Sequence, residues 1–176
     1  MKEYYIFSYL NEHINENTNK KVMIRQYQIS DKNAVMDLIK RNTPAYFAEE
    51  EAADLSKYLD NEIELYYVVL FDNKIVGCGG INFAENKTIG KISWDIIHPD
   101  YQGKSLGSQL LAYRIDMLKS IDTIRKITVR TSQLVYQFYE KQGFVLKHTK
   151  KGYWAKGFDM YYMEYENLYH NNRPSA

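Results

Sequence analysis

The sequence predicts a single α/β domain with a mixed, mostly antiparallel central sheet and helices on both faces. Three observations lead to this prediction. The chain has 176 residues, which suits one domain. Strand and helix patterns follow one another in the order β-α-α-β-β-β-α-β-α-β-β, without an internal repeat. Turn residues join several strands as antiparallel hairpins, whereas strands joined across a helix should run parallel. One sheet covered on both faces accommodates both kinds of connection.

The first part of the domain predicts one strand and two helices. Residues 22–29 alternate apolar and polar side chains, which is typical of a strand. Ser30 is the expected N-cap of the first helix, because its hydroxyl can accept a hydrogen bond from a free N–H at the helix start. Pro44 ends this helix, since proline disfavours helical backbone in the residue before it. A second, acidic helix is expected over residues 49–59.

A β-hairpin follows, with strands expected at residues 65–71 and 74–83. Asp72 and Asn73 form its turn, because Asp and Asn tolerate the positive φ angles that hairpin turns need. The second strand contains a glycine-rich run at residues 77–80. Glycines inside a strand indicate that another backbone, a ligand or a packed helix approaches closely at that point.

The second part of the domain predicts two more helices among four strands. The helix over residues 105–119 carries a wide apolar face, which is typical of a helix laid on a sheet. A second helix over residues 133–142 ends at Gly143, its expected C-cap. The strands are expected at residues 88–98, 126–131, 144–154 and 158–165.

Composition excludes several classes of protein. The chain has 23 Lys and Arg against 22 Asp and Glu, so its surface lacks the overall charge of proteins that bind nucleic acid or anionic membranes. Its apolar stretches are much shorter than the roughly 20 residues of a membrane-spanning helix. We therefore expect no nucleic-acid partner, no membrane partner and a cytoplasmic location.

The cysteines and histidines give no pattern of metal ligands. A single cysteine, Cys78, excludes an intramolecular disulfide and a multi-cysteine zinc site. We expect its side chain to be a small buried apolar group. His13, His148 and His170 lack the spacing of metal ligands, so no metal is expected.

The sequence divides into three parts. Residues 1–22 form an N-terminal extension, residues 23–166 the folded domain, and residues 167–176 a C-terminal tail. The extension fits a short extra helix docked by its aromatic residues or a loosely held arm, and translation could instead begin at Met23. Its first ten residues weakly resemble a secretory leader, but Glu3 and the absence of a small-residue cleavage site argue against one.

The segment from Trp94 to Ser108 is the most informative about chemistry. A strand ends there, a loop turns, and a helix begins. Backbone N–H groups at such a helix start are unpaired and lie at the positive end of the helix dipole, which suits a phosphate or pyrophosphate. Gly103 and Gly107 let the backbone approach the anion without an intervening Cβ.

Two nucleotide-binding motifs do not fit this loop. The run Gly103-Lys104-Ser105 is like the end of a P-loop, but that motif requires glycine where His98 stands. The dinucleotide fingerprint G-x-G-x-x-G would require glycine at Ser105.

A third motif does fit. The coenzyme A loop of the GNAT acyltransferases reads Q/R-x-x-G/A-x-G/A, and Gln102, Ser105 and Gly107 occupy its fixed places, with Ser105 standing where glycine or alanine is usual. Residues 138–144, Phe-Tyr-Glu-Lys-Gln-Gly-Phe, are similar to a second signature of that superfamily. With both motifs in the right order, the chain resembles the GNAT superfamily over residues 23–165.

The resemblance implies a GNAT-like fold and an N-acetyltransferase in which an amine attacks the thioester of acetyl-CoA directly. Main-chain amides of residues 103–108 would hold the pyrophosphate, and the main chain near Ile96 and Ile97 would hold pantetheine and polarise the carbonyl. Ser132 stands where the family often has an asparagine that contacts CoA, although its hydroxyl could instead cap the following helix. The expected CoA-binding residues are Ile96, Ile97, Gln102, Gly103, Lys104, Ser105, Leu106, Gly107, Ser108 and Ser132.

Two residues are the expected catalytic groups. Tyr139 occupies the family's tyrosine position, and a phenol of pKa near 10 suits protonation of a thiolate whose thiol has a pKa near 8.5. Asp95 is the first candidate for the base, directly or through a water, although it could also be an ordinary strand carboxylate. His98 could titrate near neutral pH, but beside Pro99 it is more typical of a turn.

The acceptor is expected between the first two helices and the last strands. Tyr153, Trp154 and Phe158 could form its walls, and an aromatic, partly acidic pocket would suit a small amine. Glu49, Glu50 and Glu51 are typical of a solvated helix face, although one could meet a cationic acceptor. A CoA-binding regulatory module without turnover stays an alternative, as does an acyltransferase with another donor or acceptor. The resemblance also allows a homodimer, since dimers are common in the family.

Overall fold

The computed structural model describes residues 21–166, which contain seven strands and four α-helices in the predicted order. The elements are β1 (Val22–Gln26), α1 (Lys32–Asn42), α2 (Glu51–Asn61), β2 (Leu65–Phe71), β3 (Lys74–Ala84), β4 (Ile89–Ile97), α3 (Leu106–Lys119), β5 (Lys126–Ser132), α4 (Tyr136–Lys141), β6 (Phe144–Ala155) and β7 (Phe158–Tyr165). The predicted C-terminal tail and all but the last two residues of the predicted N-terminal extension lie outside the described residues; Val22 is the first residue of β1. None of the helices described is long and apolar enough to cross a membrane.

The strands form one sheet in the order β1-β2-β3-β4-β5-β7-β6. Only β4 and β5 pair parallel; every other neighbouring pair is antiparallel. The expectation that strands joined across helices pair parallel therefore holds for β4 and β5 alone. β1 and β2 are joined by two helices, and the second of these reverses the chain direction once more than a single helix would. The two strands are therefore antiparallel neighbours. β7 lies between β5 and β6, so these two are not neighbours.

The connection from β1 to α1 differs from the prediction. β1 ends at Gln26, and residues Ile29–Asp31 form a 3₁₀ turn before α1. The predicted N-cap, Ser30, is wrong, because Ser30 lies inside this turn and Asp31 is the N-cap residue of α1, without a capping hydrogen bond to its side chain. The Asp31 carboxylate instead accepts a hydrogen bond from the Gln28 backbone N–H at 2.8 Å, at the start of the 3₁₀ turn. The same carboxylate accepts two hydrogen bonds from the Arg25 guanidinium, at 2.6 and 2.9 Å.

Two other helix starts also differ from the prediction. α2 runs two residues later than expected, and the Glu51 carboxylate accepts a hydrogen bond from the Ala48 N–H at its start. α4 begins at Tyr136 rather than at residue 133, because the preceding residues form a turn. Gly143 ends α4 with a φ of +90°, in the left-handed conformation expected of its position.

The core has two layers, one on each face of the sheet. α3 and α4 cover one face with a cluster that includes Leu110, Leu118 and Phe144. α1 and α2 cover the other face, where Leu38 and Leu55 pack against side chains of β2, β3 and β4. Among the described residues, this second cluster takes no member from β5, β6 or β7. That face of the sheet is therefore open beside α1 and α2, where a cavity forms.

We predict that Asp31→Asn lowers the free energy of unfolding at pH 7 by about 1–3 kcal/mol, because charge-assisted hydrogen bonds to Arg25 weaken. The hydrogen bonds from Arg25 lower the pKa of the Asp31 carboxyl, more than burial raises it. A lowered carboxyl pKa stabilises the folded state above the unfolded pKa of about 3.9, and this stabilisation is lost as pH falls through the folded pKa.

Urea denaturation at pH 7 and pH 3 measures this effect, and the difference between variant and wild type should shrink at the lower pH. Asp37→Asn is the control, because Asp37 pairs with Arg41 on the exposed face of α1, where such pairs contribute about 0.3–0.5 kcal/mol. Equal losses in the two variants at pH 7 would contradict the prediction.

Candidate functional site

β4 and β5 separate in the middle of the sheet. They pair only over four residues of each strand, up to Ile92 and Val129. Immediately beyond, β4 carries a bulge, where Trp94 and Asp95 lie opposite the single residue Gly79 of β3, and Trp94 has a φ of +51°. A bulge bends its strand and ends regular pairing. The result is a wedge between the two strands, which forms part of a cavity of about 1050 Å³.

The cavity brings together nearly all the predicted CoA-binding residues. Lys104 is the exception, because its ammonium lies 4.7 Å from the centre of the Tyr101 ring instead. Both predicted catalytic residues also line the cavity. The CoA-binding candidates that line it are Ile96, Ile97, Gln102, Gly103, Ser105, Leu106, Gly107, Ser108 and Ser132.

The loop before α3 presents a row of unpaired N–H groups. Within the described part of the chain, the backbone amides of residues 103–108 have no hydrogen-bond partner; the first bonded amide is that of Gln109, to the Ser105 carbonyl. Gly103 and Ser105 have φ angles of +73° and +59°, which turn successive N–H groups toward one concave surface. Together with the start of α3, this loop is suited to bind an anion.

Side chains from α1 and the loop hold this segment against β4. The Gln102 amide donates to the Asn42 side-chain oxygen at 3.1 Å and to the Ile97 carbonyl at 3.2 Å. Asn42, which is 2 % exposed, donates to the same carbonyl at 3.2 Å. Gln102 is a predicted CoA-binding residue, whereas Asn42 has no predicted role. In the structure both position the loop.

A chain of three polar side chains, from α4, β4 and α3, lies beside the cavity. The Tyr139 hydroxyl donates to Asp95 Oδ2 at 2.6 Å. Arg114 Nη2 of α3 is in ionic contact with Asp95 Oδ1 at 2.5 Å, although the two groups are poorly aligned for a hydrogen bond. Arg114 is fully buried and also donates to the carbonyls of Gly80 and Leu110. The Asp95 side chain is 19 % exposed, on the cavity side.

The glycine-rich run of β3 makes room for these groups. A Cβ at Gly79 would meet Asp95 Oδ1 and would lie 2.6 Å from Arg114 Nη1. A Cβ at Gly80 would lie 2.7 Å from the Tyr58 hydroxyl and 2.8 Å from Ser93 Oγ. The expectation that another group approaches this strand closely is confirmed, and the approaching group is the ion pair at Gly79.

Burial raises the pKa of the Tyr139 hydroxyl well above its usual value, and the Asp95 charge and hydrogen bond add to this shift. Arg114 opposes it, with a smaller effect. Tyr139 is therefore protonated at neutral pH and acts as a hydrogen-bond donor. The structure brings the two predicted catalytic residues into direct contact with each other.

The side of the cavity where the acceptor is predicted to bind combines aromatic and polar groups. The Asn82 side-chain oxygen accepts hydrogen bonds from the Tyr58 hydroxyl at 2.8 Å and from Ser93 at 2.9 Å. Of the three predicted aromatic wall residues, Trp154 and Phe158 line the cavity. The third, Tyr153, accepts a hydrogen bond from Arg130 through its hydroxyl instead.

Of the three consecutive glutamates, only Glu51 lines the cavity. Burial raises its pKa, and the hydrogen bond from the Ala48 amide opposes that shift. The Ser132 hydroxyl lines the cavity and also accepts a hydrogen bond from the Leu134 amide at 3.3 Å, in the turn before α4.

His98 and Cys78 occupy positions that serve the fold rather than the cavity. His98 Nδ1 accepts a hydrogen bond from the Asp100 amide at the turn after β4, as a turn residue would. Cys78 is fully buried, and this burial raises the pKa of its thiol to about 12. His148 stacks on Tyr162, whereas His13 and His170 lie outside the described residues. Within residues 21–166 no three His, Cys, Asp or Glu side chains are grouped so that they could hold a metal ion.

Arg114 is not among the residues predicted for the site, although its place in the sequence carries a signal. Arg114 lies four residues after Leu110 and four before Leu118, so it falls in the middle of the apolar face of α3. A charge at such a position requires a buried partner. The bulge that brings Asp95 to it gives no comparable pattern in the sequence.

Sequence comparisons match this chain to one protein family. The family model described as "Acetyltransferase (GNAT) family" matches residues 32–144, which include both motifs. Curated relatives are the amino-acid acetyltransferases of Buchnera aphidicola subsp. Schizaphis graminum and of Vibrio atlanticus, each 27% identical, over 70% and 86% of this chain. The chain spans only 27% and 31% of their respective lengths.

Solved structures share the fold. An aminoglycoside 6'-N-acetyltransferase complexed with coenzyme A superposes with a TM-score of 0.68 at 14% identity, covering 87% of this chain and 99% of its own. The ribosomal-protein-S18-alanine N-acetyltransferase of Escherichia coli gives a TM-score of 0.68 at 20% identity, covering 84% and 99%. The predicted fold class is confirmed.

We predict that Arg114→Met lowers the free energy of unfolding by about 3–5 kcal/mol, because it leaves the Asp95 charge without its buried partner. Arg41→Met is the matched control, since Arg41 pairs with Asp37 on an exposed helix face and should contribute less than about 1 kcal/mol. Urea denaturation of both variants measures the difference. If Arg114→Met were as stable as Arg41→Met, the ion pair would not have the structural role described.

Proposed function

The chain belongs to the GNAT acetyltransferase family, and from this premise we propose that it transfers an acetyl group from acetyl-CoA to an amine. The observation that carries the proposal is the row of unpartnered amides at residues 103–108, at the mouth of the wedge between β4 and β5. The names of the curated relatives make amino acids one class of amine to consider as acceptors.

We propose that the amides of residues 103–108 bind the pyrophosphate of acetyl-CoA. These donors are uncharged, and the start of α3 adds its positive dipole. The pantetheine would then lie in the wedge, beside the main chain of Ile96 and Ile97. Ser132 lines the other side of the wedge, on β5, where its hydroxyl is near enough to the cavity to contact the cofactor.

Tyr139 and Asp95 have the arrangement that the reaction needs. The amine nitrogen bonds to the acetyl carbon, the carbon–sulfur bond breaks, and its electron pair stays on sulfur. In our proposal Asp95 accepts the proton that the nitrogen loses, and Tyr139 gives its hydroxyl proton to the sulfur. The proton on Asp95 then passes to the Tyr139 oxygen along their 2.6 Å hydrogen bond, which restores both groups.

Arg114 has a positioning role in this proposal. Its guanidinium is fixed by the Gly80 and Leu110 carbonyls and contacts the Asp95 carboxylate, which it holds in position. Because Arg114 is fully buried, it does not contact the substrates. The cytoplasmic location and the homodimer expected from the sequence stay predictions.

We predict that Gly103→Asp weakens acetyl-CoA binding at least tenfold, whereas Gly103→Asn changes it by no more than about threefold. Asn and Asp both tolerate the positive φ of this residue, and a Cβ there has no neighbour within 4 Å. The two variants therefore differ in charge alone, and only the aspartate would repel a pyrophosphate.

Calorimetric titration with acetyl-CoA at low and high salt makes the comparison, and the gap between the variants should narrow as salt screens the charges. Equal affinities for acetyl-CoA in the two variants at low salt would show that the pyrophosphate does not bind at this loop.

We predict that Tyr139→Phe lowers kcat by about 10²–10⁴-fold, because the proton donor to the thiolate is lost. Its Kd for acetyl-CoA should change little. Tyr136→Phe is the matched control, since Tyr136 lies in the same helix but stacks on Tyr161 outside the cavity.

Thiol release from acetyl-CoA with a panel of amines measures kcat, and thermal denaturation checks that both variants are folded. A Tyr139→Phe variant as active as Tyr136→Phe would remove Tyr139 from the chemistry. A folded wild-type protein that binds acetyl-CoA but releases no thiol with any amine would instead be a CoA-binding module without turnover.

A further inference from the structure

Two basic side chains lie on the acceptor side of the cavity, Lys91 of β4 and Arg130 of β5. In the parallel pairing of these strands Lys91 lies beside Thr128. Because alternate residues of a strand point to the same face, Arg130 lies on the face that Lys91 and Thr128 share. This is the face that α1 and α2 leave open over β5. Both residues therefore line the cavity from the same face of the sheet, which forms its floor.

In the part of the chain that the structure describes, neither cation is paired with an acid. Among residues 21–166, none of the ion pairs includes Lys91 or Arg130. Lys91 also makes no hydrogen bond through its ammonium within that range. An arginine and a lysine in one cavity without a carboxylate partner can both bind an anionic group of a ligand.

The acidic groups that line the cavity are already engaged. Asp95 contacts Arg114, as described above. The Glu64 carboxylate accepts hydrogen bonds from the Phe83 amide at 2.7 Å and from the Asn82 side chain at 3.3 Å. Glu51 accepts one from the Ala48 amide, and Glu62 lies 3.8 Å from the Lys57 ammonium. Hydrogen bonds from neutral amides leave Glu51 and Glu64 charged but direct these carboxylates toward protein groups. Among the described residues, Lys91 and Arg130 have no such acidic partner.

The Arg130 guanidinium is held in place by aromatic residues of β6. It donates to the Tyr153 hydroxyl at 2.9 Å and lies 5.9 and 5.7 Å from the ring centres of Tyr153 and Trp154. Contact with aromatic faces orients the planar guanidinium and leaves its other N–H groups free. A guanidinium oriented in this way is suited to bind a carboxylate through two parallel hydrogen bonds.

We propose that the acceptor is an amine that carries a carboxylate, such as an amino acid, and that Arg130 and Lys91 bind this carboxylate. The inference deepens the proposed acetyl transfer and rests on it. Arg130 and Lys91 select the acceptor and hold its carboxylate on the floor of the cavity. They take no part in proton transfer, which stays with Tyr139 and Asp95.

The test compares each primary-amine amino acid with its own carboxamide as acceptor, following thiol release from acetyl-CoA. The carboxamide keeps the side chain and the α-amine and replaces the carboxylate with a neutral group of similar size. Wild-type protein should use at least one amino acid with a kcat/KM at least tenfold above that of its amide.

Arg130→Gln should lower kcat/KM for that amino acid at least tenfold, through KM, and change that for the amide less than about twofold. Lys91→Gln should act in the same direction with a smaller effect, and Arg130→Lys should restore part of the loss. Arg125→Gln is the matched control, because Arg125 lies just before β5 outside the cavity and should leave both acceptors unchanged. The Kd for acetyl-CoA should be the same in all variants.

The panel also contains spermidine and kanamycin, which carry positive charges and no carboxylate. If these or the carboxamides react as well as the amino acids in the wild type, the carboxylate site is overturned and the acetyl transfer stands. Equal effects of Arg130→Gln on acid and amide would also overturn it. If no compound of the panel releases thiol, the proposed acetyl transfer itself is overturned, and the inference fails with it.

Discussion

The buried ion pair between Arg114 and Asp95 fixes the relation between the two halves of the site. Arg114 belongs to α3, whose first residues present the unpaired amides, and Asp95 belongs to the bulge of β4, beside which the chemistry is proposed to occur. A charge pair away from water stabilises a fold only where other hydrogen bonds satisfy its remaining groups. The carbonyls of Gly80 and Leu110 do this for the guanidinium, and the Tyr139 hydroxyl does it for the carboxylate. This one ion pair thereby fixes the positions of α3, β4 and Tyr139 relative to one another.

The ion pair between Arg114 and Asp95 explains two local features that by themselves lower the stability of the fold. A glycine at residue 79 weakens β3 as a strand, because it loses more conformational freedom on folding, yet any side chain there would occupy the space of the ion pair. Trp94 adopts a positive φ, which costs a non-glycine residue about 1–2 kcal/mol, in order to bring Asp95 inward at the bulge. The same bulge separates β4 from β5. The bulge and the ion pair together therefore explain the close packing at Gly79, the separation of β4 from β5 and the position of the Asp95 carboxylate.

The element order and most of the cavity could be predicted from the sequence, because they depend on local patterns. Alternation, helical spacing, the turn at Asp72 and the loop at Gly103 each determine structure within a few residues. What could not be predicted depends on contacts between distant segments. Asp31 replaced Ser30 at the start of α1 because Arg25, on the neighbouring strand, provides a charged partner. The role of Arg114 likewise requires a partner 19 residues earlier in the chain.

The balanced charge of the chain is compatible with a site for anionic ligands, because the binding groups are local. A net charge of +1 provides little long-range attraction for an anion. The amides of residues 103–108 contribute no formal charge, yet their dipoles and that of α3 concentrate positive potential at one mouth of the cavity. On the proposed acceptor side, Arg130 and Lys91 are full charges that contact no acid among residues 21–166, while the acids that line the cavity contact protein groups. The charge balance of the whole chain therefore excludes a surface of one overall charge. It is compatible with the two separate sites proposed, each of which would bind one anionic group.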